Sequence, residues 1–116
     1  MVTTRIQRLC AIAAATLIIS GCAAGRAFQQ GDVAMRAGDA DQAVAHYRAA
    51  LQANPENPNY KIALERAMLV ASRNHFTRAQ ELEKNDQLDA AKGEYRLASE
   101  FDPSNRQAAA KVASLE

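Results

Sequence analysis

The sequence predicts an all-α fold of five helices that follows an N-terminal export segment. Residues that favour helices, such as Ala, Leu, Glu, Gln, Lys and Arg, dominate the chain after residue 22, and runs that favour strands are scarce. The three prolines and several glycines separate stretches whose apolar residues have helical spacing. In addition, a set of small, aromatic and proline residues occurs twice, with an offset of 48 residues.

The N-terminal segment has the organisation of an export signal. Arg5 and Arg8 form a charged start without any acidic residue, and an apolar run of 11 residues extends over 9–19. A membrane-spanning helix needs about 20 apolar residues, so this run favours a cleaved signal peptide over a permanent anchor. We therefore assign residues 1–21 to a signal-peptide helix and residues 22–116 to a mature helical module.

Two helices open the mature module. The first is predicted from about residue 24 to residue 37. Gly38 follows it, and glycine readily takes the left-handed conformation that closes a helix. Asp39 is followed three residues later by Gln42, which is typical of a capping box at the start of the second helix. That helix is expected to end near Ala53.

The third helix is predicted to be long. Asn57 and Pro58 suit the N-cap and the first helical position, and neither glycine nor proline occurs again before Lys84. One continuous helix of roughly 25 residues is the simplest interpretation, and a bend near residues 72–74 is the alternative. The first half is apolar nearly all round and includes Ile62 and Leu69, which predicts that it is covered on two sides.

Two shorter helices complete the module. Residues 85–86 mark a turn into the fourth helix, and Ser104 with Gln107 is interpreted as a capping box for the fifth. The fifth helix carries Val112 and Leu115 at helical spacing. We expect this face to be exposed, so that the chain either continues in a longer polypeptide or docks on another subunit.

The repeated set is the most informative feature for the fold. Small residues one turn apart let paired helices approach closely, an aromatic ring fills the gap between them, and a proline ends the hairpin. The members in the first copy are Ala43, Tyr47, Ala50 and Pro55, and those in the second are Ala91, Tyr95, Ala98 and Pro103. This spacing resembles the tetratricopeptide repeat, and Gly31 and Ala79, twelve residues ahead of each copy, match the small residue of that family's first helix.

The resemblance covers residues 24–116 and implies an α-α superhelix of helical hairpins. Two features depart from the family pattern. Ala27 and His75 stand where the family usually has a large aromatic, and the offset of 48 residues exceeds the usual interval of about 34. We infer that an extra helix, residues 58–72, is fused in line with the first helix of the second repeat. The alternative is two similar hairpins without the family relationship.

The resemblance also implies a groove lined by the first helix of each repeat. The candidate groove residues are Phe28, Asp32 and Met35 in the first repeat and Phe76, Gln80 and Glu83 in the second. The alternative for both phenylalanines is a place in the ordinary hydrophobic core.

The residues after the apolar run bear on membrane attachment. Ile19, Ser20, Gly21 and Cys22 resemble the bacterial lipobox, in which the signal is cut before the cysteine and the cysteine receives fatty acyl chains such as palmitate. The resemblance therefore implies lipidation of Cys22. Ala23, rather than aspartate, follows the cysteine, which favours the outer membrane, facing the periplasm. The alternative is conventional cleavage near Ala23 or Ala24, with Cys22 unmodified.

The remaining chemistry-bearing residues do not suggest an enzyme. His46 and His75 are the only histidines and lie 29 residues apart without cysteine or acidic partners at ligand spacing, so neither a metal nor another cofactor is expected beyond the lipid. No phosphate-binding glycine loop or nucleophile elbow is found. Without Arg5 and Arg8, twelve of the 14 basic residues remain against 13 acidic ones, which argues against a nucleic-acid partner.

These observations predict a membrane-anchored protein–protein interaction module of the cell envelope. The stretch 72–115 is also similar to the helical repeats ahead of the secretin domain in some outer-membrane secretins of type II secretion and type IV pilus systems. That likeness implies an adaptor or an N-terminal part of such a complex, with a secretion, pilus or outer-membrane assembly component as partner. A small stand-alone envelope lipoprotein with a structural or assembly role is the alternative.

Overall fold

A computed structural model describes residues 21–116, which form five helices and no strand. The helices are α1 (21–36), α2 (Ala40–Ala53), α3 (Pro58–Lys84), α4 (Leu88–Phe101) and α5 (Arg106–Ser114). This confirms the all-α fold of helical hairpins and the single long central helix, which spans 27 residues. The predicted signal peptide lies outside the described residues, apart from Gly21.

The chain divides into two compact units, Met1–Leu64 and Glu65–Glu116, which we call unit 1 and unit 2. In its described part, unit 1 consists of α1, α2 and the beginning of α3. Unit 2 consists of the rest of α3, followed by α4 and α5. Each unit thus contains a helical hairpin and one further helical segment.

Asparagine and aspartate side chains cap the starts of α2, α3 and α5. The Asp39 carboxylate accepts a hydrogen bond from the backbone N–H of Gln42 at 3.0 Å, which confirms Asp39 as the N-cap of α2. The Asn57 side chain accepts one from the backbone N–H of Asn59, also at 3.0 Å, and α3 begins at Pro58 as predicted. Proline suits this position because its missing N–H has no acceptor there in any case.

The predicted cap of α5 was wrong by one residue. Asn105, not Ser104, is the N-cap, and its side chain accepts a hydrogen bond from the N–H of Ala108 at 3.0 Å. Ser104 instead donates from its hydroxyl to the Asp102 carboxylate at 2.6 Å. Because Asp102 already forms this local turn with Ser104, the serine side chain is not available to the helix start.

The two hairpin turns use the same backbone geometry with different residues. Gly38 has a φ of 82° after α1, and Asp86 has a φ of 58° after α3. In the first turn the N–H of Asp39 donates to the carbonyl of Ala34, and in the second the N–H of Gln87 donates to that of Leu82, each at 2.9 Å. This is the Schellman arrangement, in which a left-handed residue lets the chain satisfy the last helical carbonyls.

Two expectations about apolar faces were wrong. Ile62 and Leu69 of α3 are 48% and 52% exposed, so the first half of that helix is not covered on two sides. Val112 and Leu115 of α5, which were expected to be exposed, are partly buried against the core of unit 2. Helical spacing identifies an apolar face, but the direction of that face depends on how neighbouring helices pack.

Candidate functional site

The repeated small and aromatic residues of unit 1 lie where α1 and α2 meet. Tyr47 is 3% exposed, and the other buried members of this set are Gly31, Ala43 and Ala50. A Cβ added at Gly31 would lie only 2.4 Å from Cε1 of Tyr47. Carbon atoms pack at about 3.5–4.0 Å, so the ring position of Tyr47 requires glycine on the facing helix.

The equivalent residues of unit 2 form its core. Tyr95 is fully buried, and it clusters with Ala79 and Ala91, while Ala98 is also fully buried. The side chains packed around this cluster are Phe76, Leu82, Val112 and Leu115. The two prolines of the repeated set, Pro55 and Pro103, lie exposed in the turns after α2 and α4.

The hydroxyl of each repeat tyrosine is bound by a carboxylate. The Tyr47 hydroxyl donates to Asp32 at 2.6 Å, and the Tyr95 hydroxyl donates to Glu83 at 2.7 Å. Burial, followed by the hydrogen bond to the nearby carboxylate, raises the pKa of both Tyr47 and Tyr95 to about 12. Both phenols therefore stay protonated at neutral pH and act as donors.

Glu83 has a second partner besides its tyrosine, whereas Asp32 binds only Tyr47 among the described residues. The ammonium of Lys111 in α5 lies 2.7 Å from one carboxylate oxygen of Glu83 and 3.0 Å from the other. This hydrogen bond, together with the one from Tyr95, lowers the pKa of Glu83. The lysine nitrogen also lies 5.9 Å from the ring centroid of Tyr95, a distance at which a cation–π attraction contributes.

The three groove candidates of unit 1 are turned toward neighbouring side chains. The Phe28 ring stacks on Tyr60 at 4.8 Å between centroids and also lies 5.5 Å from the Tyr47 ring. Asp32 accepts from Tyr47, and Met35 is half-buried. The structure thus places Phe28 and Asp32 in contacts with α2 and α3 of the same unit.

A groove in unit 1 runs between α1 and α2 and has a volume of about 510 Å³. None of the three candidates lines it. The residues that line it include Ala34 and Val33, and Val33 is 58% exposed. Among the remaining lining residues, His46 contributes from α2 and Arg26 from α1. One indication of this groove is visible in the sequence, because the apolar Val33 follows the polar Gln29 and Gln30 by one helical turn.

In unit 2, two of the three candidates line an open groove. Phe76 and Gln80 of α3 face α5 across a space of about 490 Å³. The α5 residues lining it are Gln107, Ala110, Lys111 and Ser114. Glu83 does not line the groove, but its carboxylate accepts a hydrogen bond from the ammonium of Lys111, which does. This groove combines an aromatic surface, two amides, a hydroxyl and one cation.

A polar cluster that the sequence did not predict joins α3 to α4. His75, which is 3% exposed, lies with Nδ1 2.6 Å from a carboxylate oxygen of Glu94, and its ring stacks on Phe101 at 5.4 Å. Nearby, the buried Ser72 hydroxyl donates to the carbonyl of Ala98 at 2.7 Å. Of this cluster, only His75 stood out in the sequence, as a histidine in place of a large aromatic. Its partners lie 19 or more residues away in sequence, so no local pattern connects them.

The described residues contain neither a metal-binding group nor a membrane-spanning helix. Across 21–116, no group of three or more His, Cys, Asp or Glu side chains is arranged to hold a metal ion. Over the same range, none of the helices combines the length and the apolar character needed to cross a bilayer. Cys22 is a free, exposed thiol at the beginning of the described chain.

Comparison with known proteins finds a family match in unit 1. Residues 24–57, which include most of α1, all of α2 and the turn into α3, match the tetratricopeptide repeat family. No curated protein matches the chain. The match falls on the hairpin whose packing residues are described above, and it indicates a protein–protein interaction module of a family that is typically a non-enzymatic scaffold without a cofactor.

Proposed function

We propose that this chain is a lipid-anchored protein–protein interaction module of the bacterial cell envelope, and that it binds a partner protein through the groove between α3 and α5. The observation that carries the binding role is the groove itself, because Phe76 is accessible there beside hydrogen-bonding side chains. An apolar surface bordered by a few polar groups is the usual composition of a protein-binding site.

The anchoring role rests on Cys22 and the residues before it. Cys22 follows the apolar run and the small Ser20 and Gly21, and its thiol is exposed. Each buried methylene of an acyl chain contributes roughly 0.8 kcal/mol to membrane binding, and several chains on one residue form a stable anchor. With Ala23 after the cysteine, we place the module at the outer membrane, facing the periplasm.

We further propose that the partner belongs to a secretion or pilus complex that assembles a secretin in the outer membrane. The likeness of residues 72–115 to the repeats ahead of secretin domains supports this choice. The stretch includes α4, α5 and all of the residues that line the groove. In this role the chain acts as an adaptor, or as the N-terminal part of the secretin assembly.

Intact-mass spectrometry of the full chain expressed in a Gram-negative bacterium tests the anchor. We expect a mature species that begins at Cys22 and carries acyl groups, recovered in the outer-membrane fraction. Cys22→Ser should abolish both acylation and membrane recovery. Cys10→Ser is the matched control, because Cys10 leaves with the signal, and it should behave like the wild type. A mature wild-type chain with an unmodified Cys22 would disprove the anchor.

Site-specific photocrosslinking in the same cells tests the groove. A photoreactive residue in place of Gln107, which is exposed and lines the groove, should crosslink to a ring-forming outer-membrane subunit. Ala109 is exposed on α5 but does not line the groove, so the same residue there should give no such product. Equal crosslinking from both positions, or none from Gln107, would argue against the groove and favour a stand-alone structural lipoprotein.

A further inference from the structure

The two units differ in how the repeat phenylalanine is covered. In unit 1, Phe28 contacts two rings, that of Tyr47 and that of Tyr60, which stacks on it at an interplanar angle of 29°. In unit 2, Phe76 keeps the first of these contacts, because its ring meets Tyr95 edge-on at 5.3 Å. The position 48 residues after Tyr60 is Ala108, so unit 2 has no third ring from its own chain at that position.

The equivalence of Tyr60 and Ala108 is supported by the helix starts. Each residue is the third after an asparagine N-cap, Asn57 for α3 and Asn105 for α5. The two helical segments therefore begin at the same point of the repeat. Where unit 1 has a phenol over its phenylalanine, unit 2 has the small Ala108, which is fully buried and does not line the groove, and Phe76 lines an open groove of about 490 Å³.

The charge of the groove narrows the choice of ligand. Lys111 is the one charged residue among those that line it, and its side chain is 42% exposed. The carboxylate of Glu83 binds Lys111 but does not line the groove. A ligand that enters therefore meets a cation, two amides and a hydroxyl, which is complementary to an acidic rather than a basic segment.

We infer that the α3–α5 groove binds an acidic segment of the partner protein that inserts one aromatic side chain, and that this ring stacks on Phe76 as Tyr60 stacks on Phe28. The inference rests on the proposed interaction role of the groove and adds the chemistry of the segment that it receives. Offset stacking of two aromatic rings gives a preference over an aliphatic side chain of the same size, and a neighbouring carboxylate is attracted to Lys111.

Synthetic peptides test the inference directly on the detergent-extracted full-length protein. The chain contains no tryptophan, so the fluorescence of a tryptophan in the peptide reports binding without interference. The probe is acetyl-Ser-Asp-Trp-Asp-Ser-amide, and two competitors replace its tryptophan with leucine or both aspartates with lysine. We expect saturable binding of the probe at one site, about fivefold weaker competition by the leucine peptide, and still weaker competition by the lysine peptide.

Two pairs of variants locate the site. Phe76→Leu keeps an apolar side chain in the core but removes the π surface, and it should weaken probe binding about fivefold, whereas Phe28→Leu should leave it unchanged. Ala110→Glu adds a negative charge at an exposed groove position and should weaken binding at least tenfold. Ala109→Glu, exposed outside the groove, should have no such effect. Because positions 109 and 110 are exposed, this second pair keeps the test valid even if Phe76→Leu is unstable.

The possible outcomes distinguish a failure of this inference from a failure of the proposed function. No saturable binding of the probe, equal competition by the leucine peptide, or equal effects of the two glutamate variants would overturn the inference. If the photoreactive residue at position 107 still captured a partner, the interaction role would stand while the aromatic and acidic specificity fell. If the probe bound as expected but no partner crosslinked there, the peptide specificity would stand and the proposed partner would fall.

Discussion

Units 1 and 2 place a tyrosine at the same point of the repeat, yet they surround it differently. Tyr47 lies against Gly31 and donates to Asp32 alone, whereas Tyr95 lies beside Ala79 and donates to Glu83, which Lys111 also binds. Asp32 and Glu83 do not occupy equivalent repeat positions, because their offset is 51 residues rather than 48. The comparison shows that the repeat fixes where the ring lies, while the carboxylate that satisfies its hydroxyl can come from either of two successive turns.

The two units also differ in the polar contacts between the two helices of the hairpin. In unit 2, Glu94 of α4 lies near His75 and within 3.4 Å of Arg78, both on α3. The positions 48 residues earlier are His46, Ala27 and Gln30. Unit 1 thus lacks these contacts at the equivalent positions, and Gln30 and His46 there line the groove between α1 and α2. The two copies therefore differ in the side chains that face each other between the two helices of the hairpin.

The close approach at Gly31 provides the largest expected effect. Gly31→Ala places a Cβ deep inside the Tyr47 ring contact, and overpacking this severe costs about 3 kcal/mol, the upper end of the usual range, offset by about 1 kcal/mol from the better helix propensity of alanine. We expect a net loss of about 2 kcal/mol in the free energy of unfolding, measured by urea denaturation. Gly93→Ala in α4 is the matched control, since its Cβ would meet nothing within 4 Å, and it should stabilise the chain by about 1 kcal/mol. Equal effects would contradict the tight packing of unit 1.

The tyrosine hydroxyls give the next largest effect. Tyr47→Phe leaves Asp32 without the bond from the phenol, and we expect a loss of about 1.5 kcal/mol, as is typical for hydrogen bonds to charged groups. Tyr95→Phe should cost distinctly less, because Glu83 keeps Lys111. With the pKa of both phenols raised to about 12, the wild-type advantage should persist below pH 10 and disappear between about pH 10 and 12. Hydrogen exchange on each variant would assign the loss to its own unit.

The two hairpin turns provide a smaller and reciprocal effect. Asp86 has a positive φ without being glycine, so Asp86→Gly should relieve strain and stabilise the chain by about 0.5 kcal/mol, after allowing for the greater freedom of glycine in the unfolded state. Gly38→Asp should destabilise it by a similar amount. Thermal unfolding followed by circular dichroism measures both. If both substitutions shifted the midpoint in the same direction, the equivalence of the two turns would be lost.

The ion pair at Glu83 gives the smallest effect, because Lys111 is partly exposed to solvent. The pKa of Glu83 is lower in the folded chain than its ordinary value of 4.5, so its contribution is present above that pH and is lost as the pH falls through the folded value. Glu83→Gln should therefore be less stable than the wild type at about pH 7, and this difference should vanish in strong acid. Asp32→Asn in unit 1 serves as the comparison without a lysine. A difference that persisted at about pH 2 would exclude the ion pair as its cause.

Much of the local structure followed from the sequence for physical reasons. Asp39 and Asn57 carry side chains that accept from free backbone N–H groups, and Gly38 tolerates a left-handed backbone, so these helix limits depend only on near neighbours. The cap at Asn105 was missed because two adjacent residues, Ser104 and Asn105, had the right chemistry. The local bonds of Asp102 decided between them.

The groove was only partly predictable. Phe76 and Gln80 were placed on the correct surface by their repeat positions, but the repeat pattern gave the same role to Phe28, which Tyr60 covers. The residue that covers Phe28 lies 32 positions away, and no local pattern connects the two. Lys111 was not considered, because its role depends on its proximity to Glu83.

By itself the sequence determined the helices, the turns between them and the two copies of the small and aromatic set, because each of these depends on interactions within a few residues or on a fixed helical spacing. Only the tertiary structure decided which apolar faces are covered, which carboxylate meets each tyrosine, and which phenylalanine lines an open groove. Those outcomes depend on distances between side chains far apart in the chain, and a helical pattern specifies a face without specifying what lies opposite.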